Sequence, residues 1–271
     1  MHPIRPPAVA GTFYPGQAQT LAAEVGRLLA HAPAPASTQS GLPKALIVPH
    51  AGYVYSGTTA ASAYATLTAA AHTIERVVLL GPVHSVAVRG LAAPGVEAFA
   101  TPLGTVPVDT AAIAALAHLP QVVVSPPAHA LEHSLEVQLP FLQTMLPRFS
   151  LVPLAVGDAT AQEVAQVLDA LWGGPETLIV ISSDLSHYLP YAAAHITDQN
   201  TVDHILHLDG PLTHTQACGA TPINGLLLAA RAHQLRPQLL AQCNSGDTAG
   251  DRQRVVGYAA VAFSEHHHGA H

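Results

Sequence analysis

Lysine is almost missing from this chain of 271 residues: it occurs once, at Lys44. Charged residues make up only 10% of the sequence, against roughly a quarter in an ordinary globular domain. The formal net charge is −7. A nucleic-acid surface needs the opposite sign, so no nucleic acid is expected as a partner. A mechanism built on lysine, such as a Schiff base or a phosphate-binding P-loop, has Lys44 alone to use. Cysteine is scarce as well. Cys218 and Cys243 cannot make a disulfide framework and read as reduced thiols of a cytosolic protein. No apolar run reaches spanning length, so no membrane is expected either. The first residues, Met1 to Pro6, lack a basic region followed by an apolar stretch and carry no secretory signal. The motifs H-E-x-x-H, C-x-x-C, G-x-S-x-G and G-x-G-x-x-G are absent. With them go the standard zinc-protease, dithiol, serine-hydrolase and dinucleotide readings.

What remains is an apolar chain rich in one reactive side chain. Apolar residues make up 49% of it, enough for a sizeable core, and its 18 histidines outnumber its 10 lysines and arginines. Short apolar runs appear at residues 45–48, 76–80, 121–124, 151–156, 177–181 and 255–263. They are nearly continuous, as strands buried on both faces are. Helical stretches lie between them at 18–29, 58–71, 109–118, 134–146, 161–171 and 224–232. Pro102 and Pro107 flank one more extended piece at an edge. The alternation predicts a single α/β domain over residues 1–264. Its central, largely parallel but mixed β-sheet carries helices on both faces. Residues 33–43 read as a loop within that domain. Residues 265–271 read as a disordered, histidine-rich tail able to bind metal adventitiously.

Chemistry is expected where the strands end, because ligands of α/β sheets sit outside the carboxyl ends of the strands. Val48 is followed by Pro49-His50, Leu80 by Gly81-Pro82-Val83-His84, and Ile181 by Ser182-Ser183-Asp184-Leu185-Ser186-His187. One histidine after a strand is usually a turn or capping residue; three at equivalent positions can converge on one point. A fourth candidate is His133, in Glu132-His133-Ser134-Leu135-Glu136. Ser134 is expected to cap the following helix, whose dipole would then keep His133 neutral. Cys218 precedes a helix, a position that lowers a thiol pKa and suits a metal ligand, although a free cysteine is most often a small buried hydrophobe. Cys243 is read as the latter. The loop Ser245–Asp251 reads equally as an anion cradle or a polar turn.

Taken together these segments resemble the Memo family, called AmmeMemoRadiSam system protein B in bacteria and archaea. The resemblance rests on Pro7–Pro15, Val48–Tyr53, Leu80–His84, Glu132–Glu136, Ser182–His187, Cys218–Ile223 and Val256–Ala260, in the family's order over nearly the whole chain. It implies a fold similar to the class III extradiol dioxygenases, which are non-heme iron enzymes. It also implies a metal site of two histidines and a cysteine: His50, His84 and Cys218. Asp184, His187 and His133 would line the same pocket, with His187 or His133 as general base and Asp184 orienting an imidazole. Iron(II) is the first expected cofactor, with copper or zinc as alternatives suited to the thiolate. The expected activity is that of a dioxygenase-like oxidoreductase acting on a small molecule or peptide beside a radical SAM partner protein. The alternative is a non-catalytic metal- or partner-binding module on the same scaffold.

Overall fold

The computed structural model describes residues 3–33 and 42–265. Most of the stretch read as a loop, residues 34–41, and of the histidine tail, residues 266–271, lie outside the described residues. In chain order the strands are β1 (Ile4–Arg5), β2 (Pro43–Val48), β3 (Arg76–Pro82), β4 (Leu91–Ala93), β5 (Ala98–Thr101) and β6 (Gly104–Pro107). They continue with β7 (Val122–Val124), β8 (Ser150–Val156), β9 (Thr177–Ser182), β10 (His187–Leu189), β11 (Arg236–Asn244) and β12 (Val255–Ser264). The α-helices are α1 (Ala18–Ala30), α2 (Tyr53–Tyr64), α3 (Thr110–Ala115), α4 (Pro126–Ala130), α5 (Leu139–Met145), α6 (Ala161–Ala170), α7 (Tyr191–Leu206) and α8 (Ala220–Ala232).

The centre of the main sheet is the parallel run β2-β9-β3-β8. Antiparallel strands continue it on both sides: β12 beside β2, and β4 beside β8. β11 and β10 pair with β12, and β7 pairs parallel to β4. The expected mixed α/β architecture is thus observed. Side chains of a strand alternate between faces, and here each face meets a separate core. Val77 and Leu79 of β3 enter one cluster with α1, α2 and α5, while Val78 and Leu80 enter the other with α6, α7 and α8. Burying one such aliphatic side chain stabilises by ~1.5–3 kcal/mol. A strand with apolar residues on both faces is therefore locked between two helical layers.

Several elements differ from the expectation. The helix expected from Thr58 starts at Tyr53, and its last turns tighten into a 3-10 segment at Ala65–Ala70. The helix expected from Ser134 is instead a 3-10 turn at Glu136–Gln138 leading into α5. Ser134 caps nothing; its hydroxyl donates to Pro82 O. A small separate sheet, β1-β5-β6, was read only in part, from the prolines around β6. The Ser245–Asp251 loop opens with a turn closed by its own bonds, Asn244 Oδ1 accepting from Gly246 N and Asp247 Oδ2 from Asn244 N. No described helix is long and apolar enough to cross a membrane.

Candidate metal centre

The parallel strands β2, β3, β8 and β9 all end on one side of the sheet, and there three imidazoles meet. His50 follows β2, His84 follows β3, and His133 comes from the loop between α4 and α5. One ligand atom of each lies within 4.8 Å of the others. The rings of His84 and His133 stack at 4.5 Å, and His50 meets both edge-on at 5.4 and 5.3 Å. The loop carrying His133 approaches β3 closely. A Cβ on Gly81 would sit 2.9 Å from Ser134 Oγ and 3.0 Å from Leu135 Cδ2, which explains a glycine inside this buried strand.

The hydrogen bonds fix the tautomers. His84 Nδ1 lies 2.8 Å from Glu132 Oε1. The carboxylate can only accept, so Nδ1 carries the proton and Nε2 holds the lone pair. For His50 the argument takes one more step. Its Nδ1 lies 3.0 Å from Ser182 Oγ, whose hydroxyl proton is already donated to Ser134 O. Ser182 must therefore accept from His50, leaving the His50 lone pair on Nε2. Gln138 completes the set: its Nε2 donates to Ser182 Oγ and Pro49 O, and its Oε1 accepts from Tyr64 OH. Supporting acceptors on the far nitrogen are what orient metal-binding imidazoles.

Burial keeps two of the three rings neutral. Burial pushes His50 down to about 3, helped by the neighbouring His84. Burial likewise takes His133 to about 4, with His50 adding to the effect. Neutrality at His133 thus comes from burial and not from a helix dipole. Glu132 stays ionised, at about 2. Burial raises it, but the hydrogen bond from the His84 ring, with those from the Ser134 and His84 amides, outweighs burial. A buried ion pair reaches the same loop from the start of the chain. Arg5 meets Glu136 and also donates to the carbonyls of His129 and Glu132. Glu136 accepts further from Ala8 N, Val9 N and Tyr14 OH, and Phe13 packs 4.8 Å from the His133 ring.

The model of the family described as Memo-like protein matches residues 5–262. The chain belongs to the Memo family. A MEMO1 family protein of Archaeoglobus fulgidus is 37% identical over 96% of this chain and 99% of its own length. One of Methanosarcina acetivorans is 38% identical over 95% and 98%. The crystal structure of an uncharacterized protein from Escherichia coli K12 aligns with a TM-score of 0.52 at 16% identity, covering 82% of this chain and 99% of that one. That likeness is one of fold.

In this Memo-family chain the six residues singled out from sequence lie around the carboxyl ends of the strands, in roles that differ in detail. Cys218 Sγ sits 3.3 Å from His50 Nε2. Its position before α8 does not lower its pKa; burial, with Asp184 nearby, raises the thiol to about 12. Asp184 does not orient an imidazole. Its Oδ1 accepts from the amides of His50 and Ala51, at 2.7 and 3.3 Å, so it holds the backbone after β2. The imidazoles are oriented by Ser182 and Glu132 instead. His187 Nδ1 meets Leu185 O at 2.9 Å; the carbonyl can only accept, so in the neutral ring the lone pair falls on Nε2. Reasoning from sequence assigned no role to Ser182, Gln138, Arg5 or Glu132. Beside the cluster lies a cavity of about 600 Å³, walled by residues 82–88 and 156–159 with His214, Cys218 and Thr221.

Proposed function

We propose that this Memo-family protein is a metal-dependent, dioxygenase-like oxidoreductase of the cytosol. The observation that carries the reading is a pair of imidazoles whose Nδ1 atoms are tied to Ser182 and Glu132, which leaves Nε2 of His50 and of His84 as the nitrogens for a metal. Such a donor set fits a divalent transition metal. His50 and His84 would hold it, with His133 or Cys218 completing the set. Bound there, iron(II) would supply the one-electron chemistry that molecular oxygen requires. The chain's own residues do the rest. The valines at 83, 86 and 88 wall the cavity and keep water from the body of a small organic substrate or peptide side chain. His187 Nε2 takes the proton of a substrate hydroxyl, and His133 is the other base within the cluster. Asp184 keeps the turn after β2 in place while this happens. A radical SAM partner protein belongs to this reading on the strength of the family resemblance alone.

A second reading is favoured by Cys218 against His50: a site that holds copper(I) or iron, or docks a partner, without turnover. One experiment separates the two. The chain lacking residues 266–271 is purified without oxygen, analysed for metal, reloaded with Fe(II) or Cu(I), and screened for oxygen uptake with neutral and substituted catechols. Near-stoichiometric metal, lost in His84→Ala, with substrate-dependent oxygen uptake supports the oxidoreductase. Tight copper(I) without uptake supports the module. Equal metal content in the parent and His84→Ala would sink both.

A further inference from the structure

The turn that carries His187 is built in an unusual way. The pairing of β10 with β12 shifts register between His187 and Leu189. Tyr188, between them, has φ 60°, a left-handed conformation that costs a residue with a side chain. Its own side chain is 61% exposed, and its ring contacts are the Arg254 guanidinium, at 5.0 Å, and the neighbouring His187 ring, at 5.7 Å. Strain of this kind persists only where surrounding contacts impose it. Three backbone ties surround the turn. Leu185 N donates to Gly257 O, Gly257 N donates to Ser186 O, and Ser186 N donates to Asp198 Oδ1 at 3.0 Å.

Asp198 is the unusual member. It lies in the middle of α7 and is 2% exposed, the one acid among Ala194, Asp198, Thr201, Val202 and Ile205 on the buried side of that helix. Its carboxylate reaches the turn only because residue 257 is glycine; a Cβ there would stand 1.9 Å from Asp198 Oδ2. We propose that Asp198 is the positioning residue of His187: by holding Ser186 N it aims Leu185 O at His187 Nδ1. The proton of the neutral ring then stays on Nδ1, and the Nε2 lone pair stays available. The significance of this device rests on the reading of His187 as a proton acceptor. The device itself is a matter of geometry and needs neither metal nor substrate.

Nitrogen-15 spectra of the full chain, kept metal-free with a chelator near pH 8, report each neutral imidazole's tautomer, with His187→Gln assigning the signal. The parent protein should show His187 as the Nδ1–H form alone. Asp198→Asn keeps an acceptor oxygen for Ser186 N and should keep that signal. Asp198→Ala should turn it into a mixture of both tautomers. His84, held by Glu132, should remain Nδ1–H in every variant. A folded Asp198→Ala protein with unchanged His187 overturns the proposal, and so does joint loss of the His187 and His84 signals. Should Asp198→Ala not fold, hydrogen exchange of the Ser186 amide in the parent protein decides. Slow exchange supports the clamp, and exchange at the rate of an open loop refutes it. A failed oxygen-uptake screen leaves these outcomes untouched.

Discussion

Mild acid should unfold the metal-free protein, and three histidines set how steeply. Burial holds His50 at about 3 and His129 and His133 at about 4, all below the ordinary 6.5. The unfolded chain therefore takes up these protons first. Stability is complete above pH 6.5 and is lost as the pH falls from 6.5 toward 4. Each group contributes about 1.4 kcal/mol per pH unit in that window. Three together give a slope of about 4 kcal/mol per unit, or about 6 kcal/mol lost by pH 5. That is a large share of the ~5–15 kcal/mol that holds a domain together. Urea midpoints followed by circular dichroism with chelator present, from pH 8 to pH 5, measure the slope. His129→Gln provides the internal check. It removes one of the three protons and lies outside the metal cluster, so its slope should be about a third shallower. It should also be less stable at pH 8, because His129 Nε2 no longer donates to Ala92 O. A midpoint that stays flat between pH 7.5 and 5.5 would refute the reasoning, since these rings would then be free to charge in place.

Two substitutions test opposite ends of the sheet. Glu132→Gln should weaken binding of Zn(II) or Fe(II) by about 10–100-fold, read by calorimetric titration, because one amide oxygen cannot serve both the ring and the backbone N–H of His84, which the two carboxylate oxygens hold. It should also remove about 3 kcal/mol at pH 7. That difference should shrink as the pH falls from 4.5 toward the folded value of about 2, because a depressed carboxylate stabilises only while ionised. Lys44 donates to the carbonyls of Trp172, Gly174 and Thr177, near the amino ends of β2 and β9. Lys44→Met should cost roughly 2–3 kcal/mol in chemical denaturation by leaving those acceptors unpaired. Its metal content should stay unchanged; a loss of metal would contradict the separation of scaffold from site.

The strands that build the site were legible because they are buried on both faces. Continuous runs such as Val77–Leu80 and Leu178–Ile181 leave no other economical reading. The residues after them were then placed by the general rule for strand ends. Elements that bury only one side left weaker marks. β11 is half-exposed along most of its length and begins Arg236-Pro237-Gln238, which hides a strand. α7 has no continuous apolar stripe, since Asp198 and Thr201 face inward with Val202 and Ile205. The supporting residues were hidden for another reason. Ser182 becomes an acceptor for His50 only because Ser134, 48 residues away, takes its proton. Arg5 matters through Glu136 and the carbonyls of His129 and Glu132, all more than 120 residues away, and nothing local marks it.

That last pair has a consequence for how the molecule is made. Arg5 is separated from Glu136 by 131 positions. At a synthesis rate of ~5–20 residues per second, the arginine waits roughly 7–26 seconds for its partner to be translated. Until then Arg5 lacks its partner, and the sheet on which the His133 loop docks still awaits β8 and β9. The first turns of the nascent chain can form early, but the histidine cluster is assembled near the end of translation.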